Sequence, residues 1–290
     1  MNFLQRIFGS AEESPEEKKK ETEARQFDAL KYDGIAALKI GQVDYAVTCF
    51  SHALQLQDDL EIHDHLSVAY IHQNQMANAV NELRLLADAQ PGNQAVWVRM
   101  ARVCYMMEDY DQMAEACERA EAVGAGSAEV SYLYAEARQG QGDKEAAVAL
   151  LGEAIARDEH HGAAYLLRGQ ILMEMDRLEE AETDADYLLE HADLEEDIVL
   201  LKARIAHRGG DQQKAVEWYG RVIDTNPFCL AAFRERAEVY REMGETQLSE
   251  ADAAELEPKE MADISDGQSA EGIEQKTKEA YKNTLNPFGL

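Results

Sequence analysis

EDIVLLKARIAHRGGDQQKAVEWYGRVIDTNPFC, residues 196–229, holds two apolar patterns of helical spacing that meet at Gly209-Gly210-Asp211 and end at Pro227. Glycine and aspartate at the junction stop one helix and start the next, and proline closes the second. The result is a helix hairpin too small to bury its own apolar face, so similar units on either side must cover it.

Such units are present. Gly34, Ser67, Ala101, Ala135, Gly169, Ala203 and Ala237 follow one another at an interval of 33 and then five of 34. Twelve residues after each come Ala46, Ala79, Met113, Ala147, Ala181, Ala215 and Ser249, small at every place but Met113. Four residues before the first small position a bulky residue is usual, as in Leu30, Trp97, Tyr165, Val199 and Phe233, with His63 and Ser131 as exceptions. Only a small residue lets two helix backbones cross closely, and bulky neighbours one turn away fill the gaps beside it. Gly41, Gly142-Asp143, Gly210-Asp211 and Gly244 mark turns inside the units, while Pro91 and Pro227 mark their ends.

This register resembles the tetratricopeptide repeat family, whose unit is a 34-residue helix-turn-helix. The resemblance covers residues 27–263 as seven repeats: 27–59, 60–93, 94–127, 128–161, 162–195, 196–229 and 230–263. Three departures are Met113, the arginines Arg138 and Arg168 at usually apolar sites, and Pro258, which comes early enough to shorten the second helix of the seventh repeat. The implied fold is all-α, a right-handed α-solenoid superhelix whose first helices line a concave groove for a partner peptide or helix.

Residues 1–26 precede the repeats. Phe3, Leu4, Ile7 and Phe8 share one helical face, and Ser14-Pro15-Glu16-Glu17 has the form of a capping box leading into a polar helix. Residues 264–290 follow them. Ile273, Thr277, Ala280, Tyr281 and Leu285 have the spacing of a capping helix, before the tail Asn286-Pro287-Phe288-Gly289-Leu290.

The 290 residues carry 57 acidic and 28 basic side chains, a formal charge of -29, which opposes wholesale binding of nucleic acid or of an anionic membrane. No apolar run is long enough for a secretory signal or a stable membrane span, so the expected location is cytoplasmic. Cys49, Cys104, Cys117 and Cys229 form no CxxC pair and read as free thiols of a reducing compartment.

Carried onto this sequence, the groove positions are those one to three residues before and one after each first small residue. In the central repeats they hold Tyr132, Leu133, Leu166, Leu167, Leu200 and Leu201, an apolar strip that reads either as a binding surface or, with a slight rotation of register, as packing. In residues 196–229 the first reading assigns Val199, Ala203 and Ala206 to the stack, and Leu200, Leu201 and Arg204 to a partner. Lys31, His65, Arg99 and Arg102 fall on the same expected face, able to receive an acidic group of a partner or to lie solvated. Of the positions used by the family's chaperone-tail binders, Lys31 and Arg99 match, whereas Ile35, His65 and Ala95 do not. Arg204, His207, Arg208, Arg234 and Arg241 form a second basic group interleaved with Glu235, Glu238 and Glu242, which suggests mutual ion pairs.

No catalytic residue, cofactor or metal is assigned. His63 and His65 point to different helix faces, and His65 and His72 stand about two turns, roughly 10 Å, apart. The function expected is therefore a non-catalytic protein-protein interaction scaffold or adaptor. The alternative is a self-assembling structural protein, a homo-oligomer that uses its N-terminal or C-terminal apolar segment as a groove ligand.

Overall fold

The computed structural model describes residues 14–124, 126–191 and 196–265, with backbone alone for residues 257–265. Their regular structure is entirely helical. The helices are α1 (Pro15–Lys39), α2 (Val43–Leu56), α3 (Leu60–His72), α4 (Met76–Ala89), α5 (Gln94–Met106), α6 (Tyr110–Val123) and α7 (Ala128–Gly140). They continue as α8 (Lys144–Arg157), α9 (Gly162–Glu174), α10 (Leu178–His191), α11 (Glu196–Arg208), α12 (Gln212–Thr225), α13 (Leu230–Met243) and α14 (Thr246–Ser265). Two compact units divide them, residues 14–91 with α1–α4 and residues 92–265 with α5–α14.

Within each unit odd-numbered helices pair with the even-numbered ones that follow, and each second helix packs on the next first helix, as α6 does on α7 and α10 on α11. First helices also touch one another, α1 with α3, α5 with α7 and α9 with α11. This paired, side-by-side stacking is an α-solenoid arrangement.

The turns inside the pairs show how the sequence enforces it. Gly41, Gly142, Gly210 and Gly244 adopt φ values between +76° and +82°. Asn74, Glu108 and Asp176 adopt +61°, +57° and +63° at the equivalent places of the other three pairs. One left-handed residue thus ends every first helix, and glycine fills the position at four of the seven because it lacks the Cβ that makes this conformation costly. After the turn, Asp109, Asp143 and Asp211 accept hydrogen bonds from the backbone N–H groups of Gln112, Ala146 and Lys214, starting the second helices.

The small positions behave as close-approach points. A Cβ at Gly34 would stand 2.5 Å from the Phe50 ring, and Phe50 is fully buried in the first unit with Ile62 and Leu66. Ala101, Ala135, Ala203, Ala147, Ala181 and Ala215 are fully buried in the second. Met113, at a position otherwise small, is fully buried as well, its unbranched chain filling the space.

At the start of α1 the capping box forms as the sequence implies: Glu17 N donates to Ser14 Oγ at 3.2 Å and Ser14 N to Glu17 Oε2 at 2.7 Å. Residues 14–26 are exposed, and α1 enters the packed region at Phe27. Pro258 does not shorten the last second helix, since α14 runs through it to Ser265. Proline removes one N–H and strains one turn, and here the helix continues past it. The apolar cluster Phe3 to Phe8, the expected C-terminal helix and the tail with Phe288 and Leu290 lie outside the described residues.

Candidate functional site

The eleven residues expected to meet a partner divide between the units, Lys31 and His65 in the first and the other nine in the second.

In the first unit Lys31 Nζ on α1 is held by Asp59 Oδ2 at 3.0 Å and Glu61 Oε2 at 2.7 Å and keeps 14% of its side-chain surface. Burial works against its charge, but the bonds to Glu61 and Asp59 outweigh it, and the ammonium pKa is raised. His65 stacks on Phe50 at 5.5 Å, and burial lowers its pKa, favouring the neutral ring.

In the second unit Arg102 on α5 pairs with Glu129, and Arg204 on α11 makes two parallel bonds to Glu235, Nε to Oε2 at 2.8 Å and Nη2 to Oε1 at 2.6 Å. His207 meets Glu242 at 3.0 Å and Arg241 meets Glu238 at 2.9 Å, so interleaved acids take up much of the second basic group. Arg99 is half-buried on α5. Lys31, Arg102 and Arg204, read from the sequence as receivers of an acidic group, are therefore engaged with acids of their own chain.

The apolar strip splits. Tyr132, Leu166 and Leu167 are half-buried on α7 and α9, while Leu133, Leu200 and Leu201 retain 3%, 7% and 1% of their surface. The reading of Leu133, Leu200 and Leu201 as surface anchors is thus corrected: they belong to the stack. Leu201 clusters with Leu172, Ala181, Ala185 and Ile205, and its Cδ2 would lie 3.0 Å from a Cβ at Gly169, so it fills the space that glycine leaves. Leu200 clusters with Val199, Ala203 and Tyr219. The physical reason is that α11 packs on α9 as well as on α10 and α12, which closes more of its circumference than a single hairpin would.

Arg138 and Arg168, the departures from apolar register, are satisfied by polar partners. Arg138 meets Tyr134 Oη at 2.5 Å and Glu118 at 3.4 Å. Arg168 is locked to buried Asp184, and Arg236 repeats the arrangement with Asp252. Between them in register, Lys202 keeps 3% of its surface, lies 5.6 Å from the Trp218 ring centroid, and bonds to Glu182 and to Asp186.

One buried residue in the expected groove register was not singled out by sequence reasoning. Glu136 on α7 retains 9% of its surface, and its Oε2 has no hydrogen-bond partner. Burial raises its pKa to about 7, against the Tyr132 hydrogen bond and the Arg102 charge. Arg102 Nε is likewise buried without a partner. The register offered a signal, because Glu136 follows Ala135 directly, but nothing in the sequence separates it from 56 other acids.

Cys49, Cys104, Cys117 and Cys229 are buried, and burial pushes the Cys117 thiol up to about 12 and the Cys229 thiol up to about 11. Among the described residues no helix is long and apolar enough to cross a membrane.

A sequence profile described as tetratricopeptide repeat matches residues 132–193 and 171–228. No curated protein matches the sequence. Among solved structures, the pilF protein of Pseudomonas aeruginosa is similar over 75% of this chain and 99% of its own, at 16% identity and a TM-score of 0.56. The C-terminal part of a TPR repeat-containing protein from Cytophaga hutchinsonii is similar over 79% and 90%, at 15% identity and a TM-score of 0.58. YrrB, a TPR protein described as having an unusual peptide-binding site, is similar over 64% and 97%, at 16% identity and a TM-score of 0.55. At such identities these likenesses speak for the fold. Repeats of this kind are in general non-catalytic protein-interaction modules. Helix pairing, the spacing of the left-handed turns and the profile all agree on one register, and within it residues 132–228 match the tetratricopeptide repeat family.

Proposed function

We propose that the chain is a non-catalytic scaffold and that the first helices of its second unit bind an extended or helical segment of a partner protein. The observation that carries this reading is the pair Tyr132 and Leu166. They occupy the same register position on successive first helices, α7 and α9, and both remain half-buried where Leu133 and Leu201 beside them are closed into the stack. Apolar side chains left part-exposed in a row are what a partner segment can cover. The similarity to YrrB supports the same use of the fold, since that protein carries a peptide-binding site.

An acidic anchor on the partner is not part of this reading, because Arg102 and Arg204 are already ion-paired within the chain. The buried thiols of Cys49, Cys117 and Cys229 support a reducing compartment, and we place the protein in the cytoplasm on that ground.

The test is affinity capture with mass spectrometry, comparing wild type with Tyr132→Ala/Leu166→Ala. Proteins retained by wild type and lost by the variant, at unchanged helical circular dichroism, support the reading. Retention of the same proteins by both removes it.

A further inference from the structure

Among the described helices α1 is the one first helix with no second helix before it. In the first unit α3 shows what such a neighbour covers: its Ile62, Leu66 and Ala69 share one buried cluster with Phe50 and Ala53 of α2. Counted by repeat, the same places are buried in later first helices, where Val96 and Ile198 answer to Ile62, and Val103 and Ile171 to Ala69. On α1 these places hold Ala29, Asp33 and Ala36, and all three are exposed. Tyr32 and Ile40 flank them and keep 68% and 70% of their surface. α1 therefore presents an open stacking face, apolar apart from Asp33.

Reach and charge bound what covers that face. In the segment before α1, Phe3, Leu4, Ile7 and Phe8 share one helical face, and Arg6 is the only charged side chain ahead of Glu12. Residues 14–26 are exposed and almost wholly polar, so they offer this cluster no apolar seat. Phe8 stands six residues before Ser14, a stretch that spans about 21 Å when extended. The rise along α1 from Ser14 to Asp28 is also about 21 Å. A chain that doubles back here brings Phe8 level with Asp28, and Leu4 and Phe3 level with Ala29 to Asp33. It then runs antiparallel to α1, as helices joined by short loops run to their neighbours.

We propose that residues 3–8 pack on the open face of α1 in their own chain, with the apolar cluster against Ala29, Tyr32 and Ala36 and with Arg6 paired to Asp33. The segment takes the place of the absent second helix and closes this end of the first unit. Two observations favour it over other occupants. Ala29 and Ala36 are smaller than the Ile62 and Val103 that hold their places elsewhere, which leaves room for incoming phenylalanine and isoleucine side chains. In the sixth repeat the place of Asp33 belongs to Lys202, which pairs with Glu182 and Asp186 on the preceding second helix α10. Asp33 has no ion pair or hydrogen bond among the described residues, and Arg6 supplies the same contact with the charges reversed. The partner surface on α7 and α9 plays no part in this contact.

The experiment is hydrogen exchange of the full-length chain, read by mass spectrometry at two protein concentrations. Residues 3–8 should exchange about tenfold more slowly than in a free peptide of residues 1–13, equally at both concentrations. Ala29→Arg, at an exposed helical site where the fold tolerates it, should bring them to the free-peptide rate by blocking the face. Arg6→Asp and Asp33→Arg should each cost about threefold in protection, and the two together should regain it. Free-peptide rates in the wild type overturn the proposal, as does protection that survives Ala29→Arg or charge variants whose losses simply add. Protection that grows with concentration assigns the segment to a second copy and likewise overturns it.

Discussion

Arg168 on α9 and Asp184 on α10 form a two-pronged pair, Nε to Oδ2 at 2.8 Å and Nη2 to Oδ1 at 2.6 Å, with Asp184 retaining 3% of its side-chain surface. The bond to Asp184 raises the Arg168 pKa, and the guanidinium lies 5.5 Å from the Tyr165 ring centroid. Arg236 and Asp252 repeat it two repeats later beside Phe233. Removing one partner strands a buried charge, so Arg168→Ala should cost about 3–5 kcal/mol, while Arg168→Met/Asp184→Leu should lie within about 1 kcal/mol of wild type or above it. Thermal unfolding of the single and double variants reads the difference, and equal destabilisation by both would count against the ion-pair account.

Glu136 gives a pH dependence of the opposite kind from an ordinary salt bridge. Its folded pKa of about 7 stands above the ordinary glutamate value of 4.5, so the fold holds a proton that the unfolded chain has released. The cost is absent below pH 4.5, grows as pH rises to 7, and then levels at about 3 kcal/mol. Glu136→Gln should therefore raise the melting temperature at pH 8 and have little effect near pH 4.5. A constant difference across that range would show that the carboxyl does not titrate there.

In the first unit His63 bridges two acids, Nδ1 to Glu82 at 2.5 Å and Nε2 to Asp58 at 2.9 Å. Burial opposes its charge, but the two hydrogen bonds prevail and its pKa is raised. This contribution to stability is complete below the unfolded value of 6.5 and is lost as pH rises through the higher folded value. His63→Gln should thus destabilise more at pH 6 than at pH 9, as measured by melting at both.

Glu108 holds φ +57° where four other turns use glycine. Glu108→Gly relieves that strain and should stabilise by up to about 1 kcal/mol, whereas Gly142→Ala should cost about 1 kcal/mol. Urea midpoints of the two variants should move in opposite directions.

Leu201 tests the corrected packing. Leu201→Ala should lower stability by about 2–5 kcal/mol, and Leu201→Asp should unfold the repeats around it. Leu166→Ala, at a half-buried site, should cost less than Leu201→Ala. Circular dichroism during heating separates the three.

The fold was legible because its determinants are periodic and local. Small residues at 34-residue intervals mark the crossings, and Gly41, Gly142, Gly210 and Gly244 mark four left-handed turns. Asn74, Glu108 and Asp176 escaped notice as turn residues because Glu rarely adopts a positive φ, and Asn and Asp, which do so more readily, are also common elsewhere in a chain. Pro258 was overvalued for the opposite reason: a helix already nucleated can run past one missing N–H.

The candidate site was only partly legible. Period 34 places Tyr132, Leu133, Leu166, Leu167, Leu200 and Leu201 near one face, but which of them is covered depends on how neighbouring helices close around each. Packing of α11 on α9 encloses Leu201 and leaves Leu166 half-open. Likewise the sequence shows Lys31, Arg102, Arg204 and Glu136 as charged residues among many, and says nothing of their partners. Repeat spacing by itself determined the helix pairs, since backbone geometry and side-chain size act within one unit. Tertiary structure alone decided that three expected anchors are core, that three expected bases are paired, and that Glu136 is buried with one oxygen lacking a hydrogen-bond partner, because burial and pairing are set by residues 16 to 35 positions away in the chain.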